Sequence, residues 1–321
     1  MTHRWRPWAR RLIQLILTLG VTWLVVSRVG VSLGDVASWG SAVPDPSGSV
    51  LFGSAAVLLF GLGISGWLWS LMVSELGEDR PGLWGALRIV FTANLGRYLP
   101  GRLWQIAGLA VLAGRDGMSR TVAGIAGVLG QAFALAAVAV LASPAFIARG
   151  GGEGRAWTVA LGVFALFVVL ASIPALVDTG LRIAVRVARL SSGPARPVAR
   201  LFGVRWLGWY LINWIVYGVA FVLFVRGLGF SAGWLELVSA FAAAYLLGYV
   251  AVFAPAGLGV REGFLIVFLT PQLASAAVGV ALLTRVWMTL VELVPAGGFA
   301  IWEVSRSAGS SVSGRPQLEE P

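Results

Sequence analysis

The chain has 321 residues, 58% of them apolar and only 12% charged, where soluble domains carry roughly 45–50% and about 25%. That composition excludes a soluble globular protein and indicates an integral membrane protein built as one helical bundle, with no hydrophilic block large enough to fold separately. The formal net charge is +10, all 24 basic residues are arginine, and with no cysteine and a single histidine, His3, the sequence excludes disulfides, thiol nucleophiles, zinc sites and His-dependent triads.

Residues 1–11 hold four arginines ahead of the apolar run Leu12–Val29. No small-residue cleavage site follows, so the run reads as an uncleaved first helix rather than a signal peptide, and its arginines place the N-terminus in the cytoplasm. Residues 30–49 contain Asp35, Pro44, Asp45 and Pro46 but no basic residue and suit an external loop. Val50–Val73 is the second span. Its Gly61-Leu-Gly63-Ile-Ser-Gly66 matches a dinucleotide fingerprint by spacing, yet it lies within an apolar helix and has no preceding strand. Close helix packing through small residues is the better reading.

Leu83–Ala113 is apolar except at its centre, where Asn94-Leu-Gly-Arg97-Tyr98-Leu-Pro100-Gly101-Arg102-Leu-Trp-Gln105 interrupts it. Spans follow at Val122–Ile147 and Ala156–Val177. Residues 178–205 carry six arginines and form a cytoplasmic loop; with no soluble module around them they imply no nucleic-acid partner. Trp206–Leu228 and Trp234–Phe253 are further spans. A second break, Ala254-Pro255-Ala-Gly257-Leu-Gly259-Val-Arg261-Glu262-Gly263, precedes the long apolar stretch Phe264–Val304, itself interrupted at Thr270-Pro271. That stretch is read as one half-helix and one full span. The tail 305–321 reads as disordered. Tryptophans near span ends, among them Trp206, Trp209, Trp234 and Trp302, suggest an interfacial belt.

Counting crossings constrains the first break. Residue 75 and the six-arginine loop both belong inside, and the spans between them already make one excursion, so residues 83–113 enter and leave on the same side. A straight helix would place Arg97 and Arg102 in the hydrocarbon at about 2.5–3.5 kcal/mol each and lose a hydrogen bond at Pro100. A re-entrant pair of half-helices meeting at Pro100-Gly101 satisfies both arguments; the alternative is an amphipathic surface helix with a Pro-Gly kink. Irregular backbone at membrane depth is tolerated where it faces protein or a water-filled cavity. The second break obeys the same logic. Whether the two breaks approach a common cavity from the same side or from opposite sides stays open at this level.

Arg285 and Glu292 share one helix face, about 10.5 Å apart along the axis, too far for ready contact, so each is expected to face a partner on another helix or serve the cavity. Asn94, Gln105, Gln131 and Asn213 are candidates to line the same cavity, or to bond between helices. No metal-binding, nucleotide-binding or nucleophile-elbow motif is present, so no cofactor or metal is expected. Paired Gly/Pro-interrupted apolar segments point to a transporter's binding site. Arginines beside them suit an anionic phosphate, and in a membrane a phospholipid or a lipid-linked phosphate is the natural carrier.

At these two motifs, Asn94–Gly108 and Pro255–Gly263, the chain resembles the lysylphosphatidylglycerol synthase transmembrane regions, also called flippase-like proteins, over about residues 10–305. The resemblance implies a flippase-like transmembrane domain over residues 12–304, which in full-length members is similar to a flippase moving an aminoacylated phospholipid between leaflets; for this chain the leading expectation is a plasma-membrane translocase of an anionic or glycosylated lipid. The soluble aminoacyl-transferase domain of full-length members has no counterpart here, so synthase activity does not carry over. Stand-alone members sit near glycosyltransferase functions, which makes a glycosyltransferase partner an expectation too. The expected architecture is all-α, a polytopic bundle of about seven to eight spans with two Pro/Gly-broken, re-entrant segments. The candidate substrate-binding residues are Asn94, Arg97, Tyr98, Pro100, Gly101, Arg102 and Gln105 from the first break. The second break contributes Pro255, Gly257, Gly259, Arg261 and Glu262, with Arg285 and Glu292 supporting the cavity or gating it. Two other readings are a membrane-embedded transferase on a lipid-linked phosphate, with Glu262 as its base, and a scaffold for a glycosyltransferase.

Overall fold

The computed structural model describes residues 44–98, 103–148, 202–251 and 259–312. The expected spans 12–29 and 156–177, the N-terminal arginines and most of the six-arginine loop lie outside the described residues. Within them the chain forms α1 (Gly48–Glu75), α2 (Leu83–Asn94), a 3-10 turn (Leu95–Tyr98), α3 (Leu103–Arg115), α4 (Arg120–Ile147), α5 (Phe202–Gly227), α6 (Trp234–Val250), α7 (Val260–Leu273) and α8 (Ala276–Val312). The protein is an all-helical membrane bundle. Among the described residues four stretches are long and apolar enough to cross a membrane: Gly48–Glu75, Arg120–Ile147, Gly203–Gly227 and Ala276–Phe299. Helices α2, α3 and α7 have 12, 13 and 14 residues, about 18–21 Å at 1.5 Å per residue, against a hydrocarbon core of about 30 Å.

Local chemistry sets the helix ends. At α1, α3 and α5 a glycine with positive φ (Gly77, Gly117, Gly229) ends the helix in the same way. Its N–H and that of the next residue bond back to carbonyls of the last turn, as in Glu78 N–H to Val73 O and Met118 N–H to Ala113 O, which satisfies groups the helix leaves open. Two residues beyond Gly117, the Ser119 hydroxyl accepts from the Val122 N–H and starts α4. The break expected at Thr270-Pro271 falls slightly later. Helix α7 runs through Pro271 to Leu273, and the chain reverses at Ala274, the one non-glycine residue with positive φ among the described residues.

Helices α1 and α5 pack antiparallel along their whole length. The Ser47 N–H bonds to the Gly227 carbonyl at 2.9 Å, Ser65 meets Asn213 and Tyr217 midway, and Glu75 at the other end holds the Arg205 guanidinium and the Trp206 indole. Small residues allow this approach: a Cβ at Gly61 would lie 2.8 Å from the Tyr217 ring, and one at Gly66 would lie 2.9 Å from Leu87 on α2. The glycine pattern of α1 is thus a packing feature. Trp206 is not an interfacial tryptophan as expected; it is buried and donates to Glu75. Trp209 and Trp234 are exposed at the surface.

The antiparallel α1–α5 pair defines two ends of the bundle, a Glu75 end and a Ser47 end. Helix α4 starts near the Glu75 end, where Trp69 donates to the Ala123 carbonyl, and finishes with Phe146 against Phe268 of α7. Helix α6 turns back from the Ser47 end, with Val238 against Gly218 and Tyr245 against Trp214 of α5. Helix α8 travels the other way and brings Phe299 and Trp302 onto Trp84 at the start of α2. Phe52, Phe60, Val140, Val219, Val294 and Ile301 stay exposed on the outside, the apolar exterior that lipid contact requires.

Candidate functional site

The two sequence breaks fold as two helical hairpins. In the first, α2 and α3 run antiparallel. The Gln105 side chain donates to the Asn94 carbonyl at 2.7 Å, Gly108 faces Ala93, and near the open end Arg88 holds Asp116 at 2.7 Å. Both open ends therefore lie together at the Glu75 end. Close approach at the tip depends on Gly96, where a Cβ would lie 2.8 Å from the backbone carbon and oxygen of Trp104. Backbone cannot move aside as a flexible side chain can. Gly96→Val should lower stability by about 1–3 kcal/mol, read as a lower unfolding midpoint in detergent micelles.

The second hairpin, α6 and α7, opens toward the Ser47 end. At its tip Gly248 packs against Arg261 so closely that a Cβ would lie 2.7 Å from the Cβ of Arg261. Gly259 has φ +78, and its N–H donates to Glu262 Oε2 at 2.7 Å, which caps the start of α7. The two hairpins thus enter the bundle from opposite ends, and their tips meet inside it.

Helix α8 holds both tips through reciprocal ion pairs. Arg97 of the first hairpin donates to Glu292 at 2.7 Å, with the Glu292 side chain only 5% exposed. Glu262 of the second hairpin faces Arg285 at 3.6 Å. The expectation that Arg285 and Glu292 face partners on other helices holds for both. The third arginine, Arg261, has no carboxylate at ion-pair distance among the described residues. Its guanidinium reaches Met288 Sδ at 2.9 Å and lies over the rings of Phe241 and Tyr245, 5.1 and 5.3 Å from their centroids.

Two adjoining chambers lie between the tips. The first, about 70 Å³, is lined by Arg97, Arg261, Arg285, Glu292, Gln105 and Gln131 among others. The second, about 110 Å³, is lined by Ser65, Asn94, Gln131, Asn213, Tyr210 and Tyr217 with the rings of Trp69 and Trp214. Arg97, Gln105, Gln131 and Tyr245 belong to both. Among the described residues, three arginines against one carboxylate make the first chamber electropositive, and α3 and α7 both begin at the tips, where helix N-termini add positive potential. Among the described residues that line the second chamber there is no carboxylate.

Of the residues expected from sequence, Asn94, Arg97, Gln105, Arg261, Arg285 and Glu292 line the chambers. Glu262 stands behind the first chamber, capping α7 and holding Arg285, and Gly259 supplies the turn. Tyr98 closes the 3-10 turn, while its side chain, with Pro100, Gly101, Arg102, Pro255 and Gly257, lies outside the described residues. Gln131 lines both chambers and Asn213 the second. Sequence reading named Tyr98 but missed the other four tyrosines. Tyr210, Tyr217, Tyr245 and Tyr249 all line a chamber. The signal was available: the chain has only five tyrosines, and these four sit at spacings of seven and four within apolar helices. Ser65, Met288 and Thr289 carried no such signal.

A family model described as lysylphosphatidylglycerol synthase TM region matches residues 11–296. No curated protein matches the chain.

Proposed function

Because the chain belongs to the lysylphosphatidylglycerol synthase TM region family, we propose that it is a translocase that carries an anionic lipid head group between the leaflets of the plasma membrane. The observation that carries this reading is the convergence of Arg97, Arg261 and Arg285, from two hairpins and α8, on one chamber inside the bundle. A cationic chamber at membrane depth is costly unless it receives an anion, and guanidinium groups match phosphate geometry. Opposed re-entrant hairpins whose tips are tied to one helix suit alternating access, since moving either tip opens the chamber toward one leaflet. The transferase alternative needs Glu262 as a base, and that carboxylate already accepts from Gly259 and faces Arg285.

The test is movement of a fluorescent anionic phospholipid across proteoliposomes. Wild-type protein should accelerate it, and the Arg97→Ala/Arg261→Ala double variant should fall to the protein-free background. Wild-type rates in the double variant would sink the reading.

Orientation follows from charge. Among the described residues Arg80, Arg88, Arg115, Arg120 and Arg205 lie at the Glu75 end, and Arg226 lies at the other. The positive-inside rule assigns the Glu75 end to the cytoplasm, with the N-terminus on the same side. The chain has no cysteine, so single cysteines report cleanly. In intact cells a membrane-impermeant maleimide should label Ser231→Cys and should reach Asp79→Cys only after permeabilisation. The reverse pattern would invert the assignment.

A further inference from the structure

Among the described residues Glu292 is the one carboxylate that lines the first chamber. Its side chain is 5% exposed and accepts from Arg97 at 2.7 Å. Glu262 is placed differently. It lies behind the chamber wall, where its Oε2 accepts from the Gly259 N–H and its Oε1 faces Arg285 at 3.6 Å. Capping ties Glu262 to the start of its own helix. The acid inside the chamber instead holds an arginine on another element, 195 residues away in sequence.

A carboxylate and a phosphate ask the same of a guanidinium: N–H donors aimed at anionic oxygens. A chamber of about 70 Å³ brings any anion on Arg97 into range of Glu292. Like charges that close repel strongly where water is scarce. An arriving phosphate and an ionised Glu292 therefore contend for one arginine.

Resting on the translocase reading above, we infer that Glu292 is an internal competitor for the anion site: it occupies Arg97 in the empty protein, and the head group takes Arg97 from it. Two consequences follow. The displaced carboxylate opposes the bound head group, which keeps binding weak enough for release into the other leaflet. The exchange also unties α8 from the first hairpin, because Arg97 sits on the 3-10 turn at the tip. The tip is held while the chamber is empty and freed when an anion arrives, so the ligand itself supplies the difference in free energy between the two states. A residue that only positioned Arg97 would act in the opposite sense, since its neutralisation would weaken anion binding.

The test is calorimetric titration of the purified full chain in detergent with dioctanoyl phosphatidylglycerol, which carries a phosphodiester and no carboxylate. Glu292→Gln should bind it at least about tenfold more tightly than wild type, the scale of one charge-assisted hydrogen bond. In proteoliposomes the same variant should reach half-saturation at a lower mole fraction of fluorescent phosphatidylglycerol and show a lower maximal rate, because nothing reclaims Arg97 from the head group. Equal or weaker binding by a folded Glu292→Gln protein would overturn the inference, while saturable wild-type binding would leave the anion chamber standing. A second measurement needs no variant. Infrared difference spectra of the wild type, with and without saturating lipid, should show a change in the carboxylate stretching band as Glu292 leaves Arg97. A silent carboxylate band would overturn the inference even if Glu292→Gln failed to fold. Absence of saturable binding by the wild type would remove both this inference and the reading beneath it.

Discussion

Replacing Glu292 by alanine is expected to destabilise the bundle by about 3–5 kcal/mol, measured as a loss of unfolding free energy in detergent micelles. Glu292 is 5% exposed and accepts from Arg97 at 2.7 Å. Removing one partner of such a buried pair leaves the other charge uncompensated, which is why the loss exceeds what an exposed ion pair is worth. The effect should spread to the first hairpin, because Arg97 sits on the 3-10 turn at its tip. A second variant separates structure from function. Arg97→Met/Glu292→Met removes both charges together, and apolar groups of similar volume replace buried ion pairs at little cost or with a gain. Stability should largely return, whereas lipid movement should stay lost, because an arginine of the anion chamber is gone. An unchanged midpoint in Glu292→Ala would show that α8 does not hold the tip through this pair.

Arg261→Met is expected to show the converse: a folded protein that has lost most of its lipid movement. Arg261 has no carboxylate at ion-pair distance among the described residues, so its removal orphans no acid. Methionine can keep the packing against Phe241, Tyr245 and Met288 that the arginine makes. Hydrogen bonds to charged groups are worth about 1.5–3 kcal/mol each, and about 1.4 kcal/mol corresponds to tenfold. Loss of one such contact to a phosphate should therefore reduce affinity by about ten- to a hundredfold. The check is a proteoliposome rate taken with an unfolding midpoint. Rates near background with a midpoint near wild type would fit; a normal rate, or a collapsed midpoint, would assign Arg261 a structural role instead. Set beside Glu292→Ala, this variant tests whether paired and unpaired charges at the tips divide the work of holding the bundle and holding the ligand.

The helical class, the places of the two breaks and the division of residues 264–304 into a half-helix and a full span were legible in the sequence. These features are local. Hydropathy sets which segments leave water, and proline and glycine set where a helix stops. The same local logic showed that Arg285 and Glu292 share a face yet stand too far apart to satisfy each other. Only the tertiary structure decided where their partners lie. Arg97 and Glu292 are 195 residues apart in sequence, and no periodicity within one helix reports which face of another helix it meets. The reciprocal pairing of the two tips through α8 has that long-range origin, as does the entry of the hairpins from opposite ends. Burial of Trp206 under Glu75 has it too, as does the gathering of four tyrosines around two chambers. Asn213 shows the boundary most plainly. The sequence marked a polar side chain in an apolar span, and only the α1–α5 packing decided that its partner is Ser65, 148 residues away.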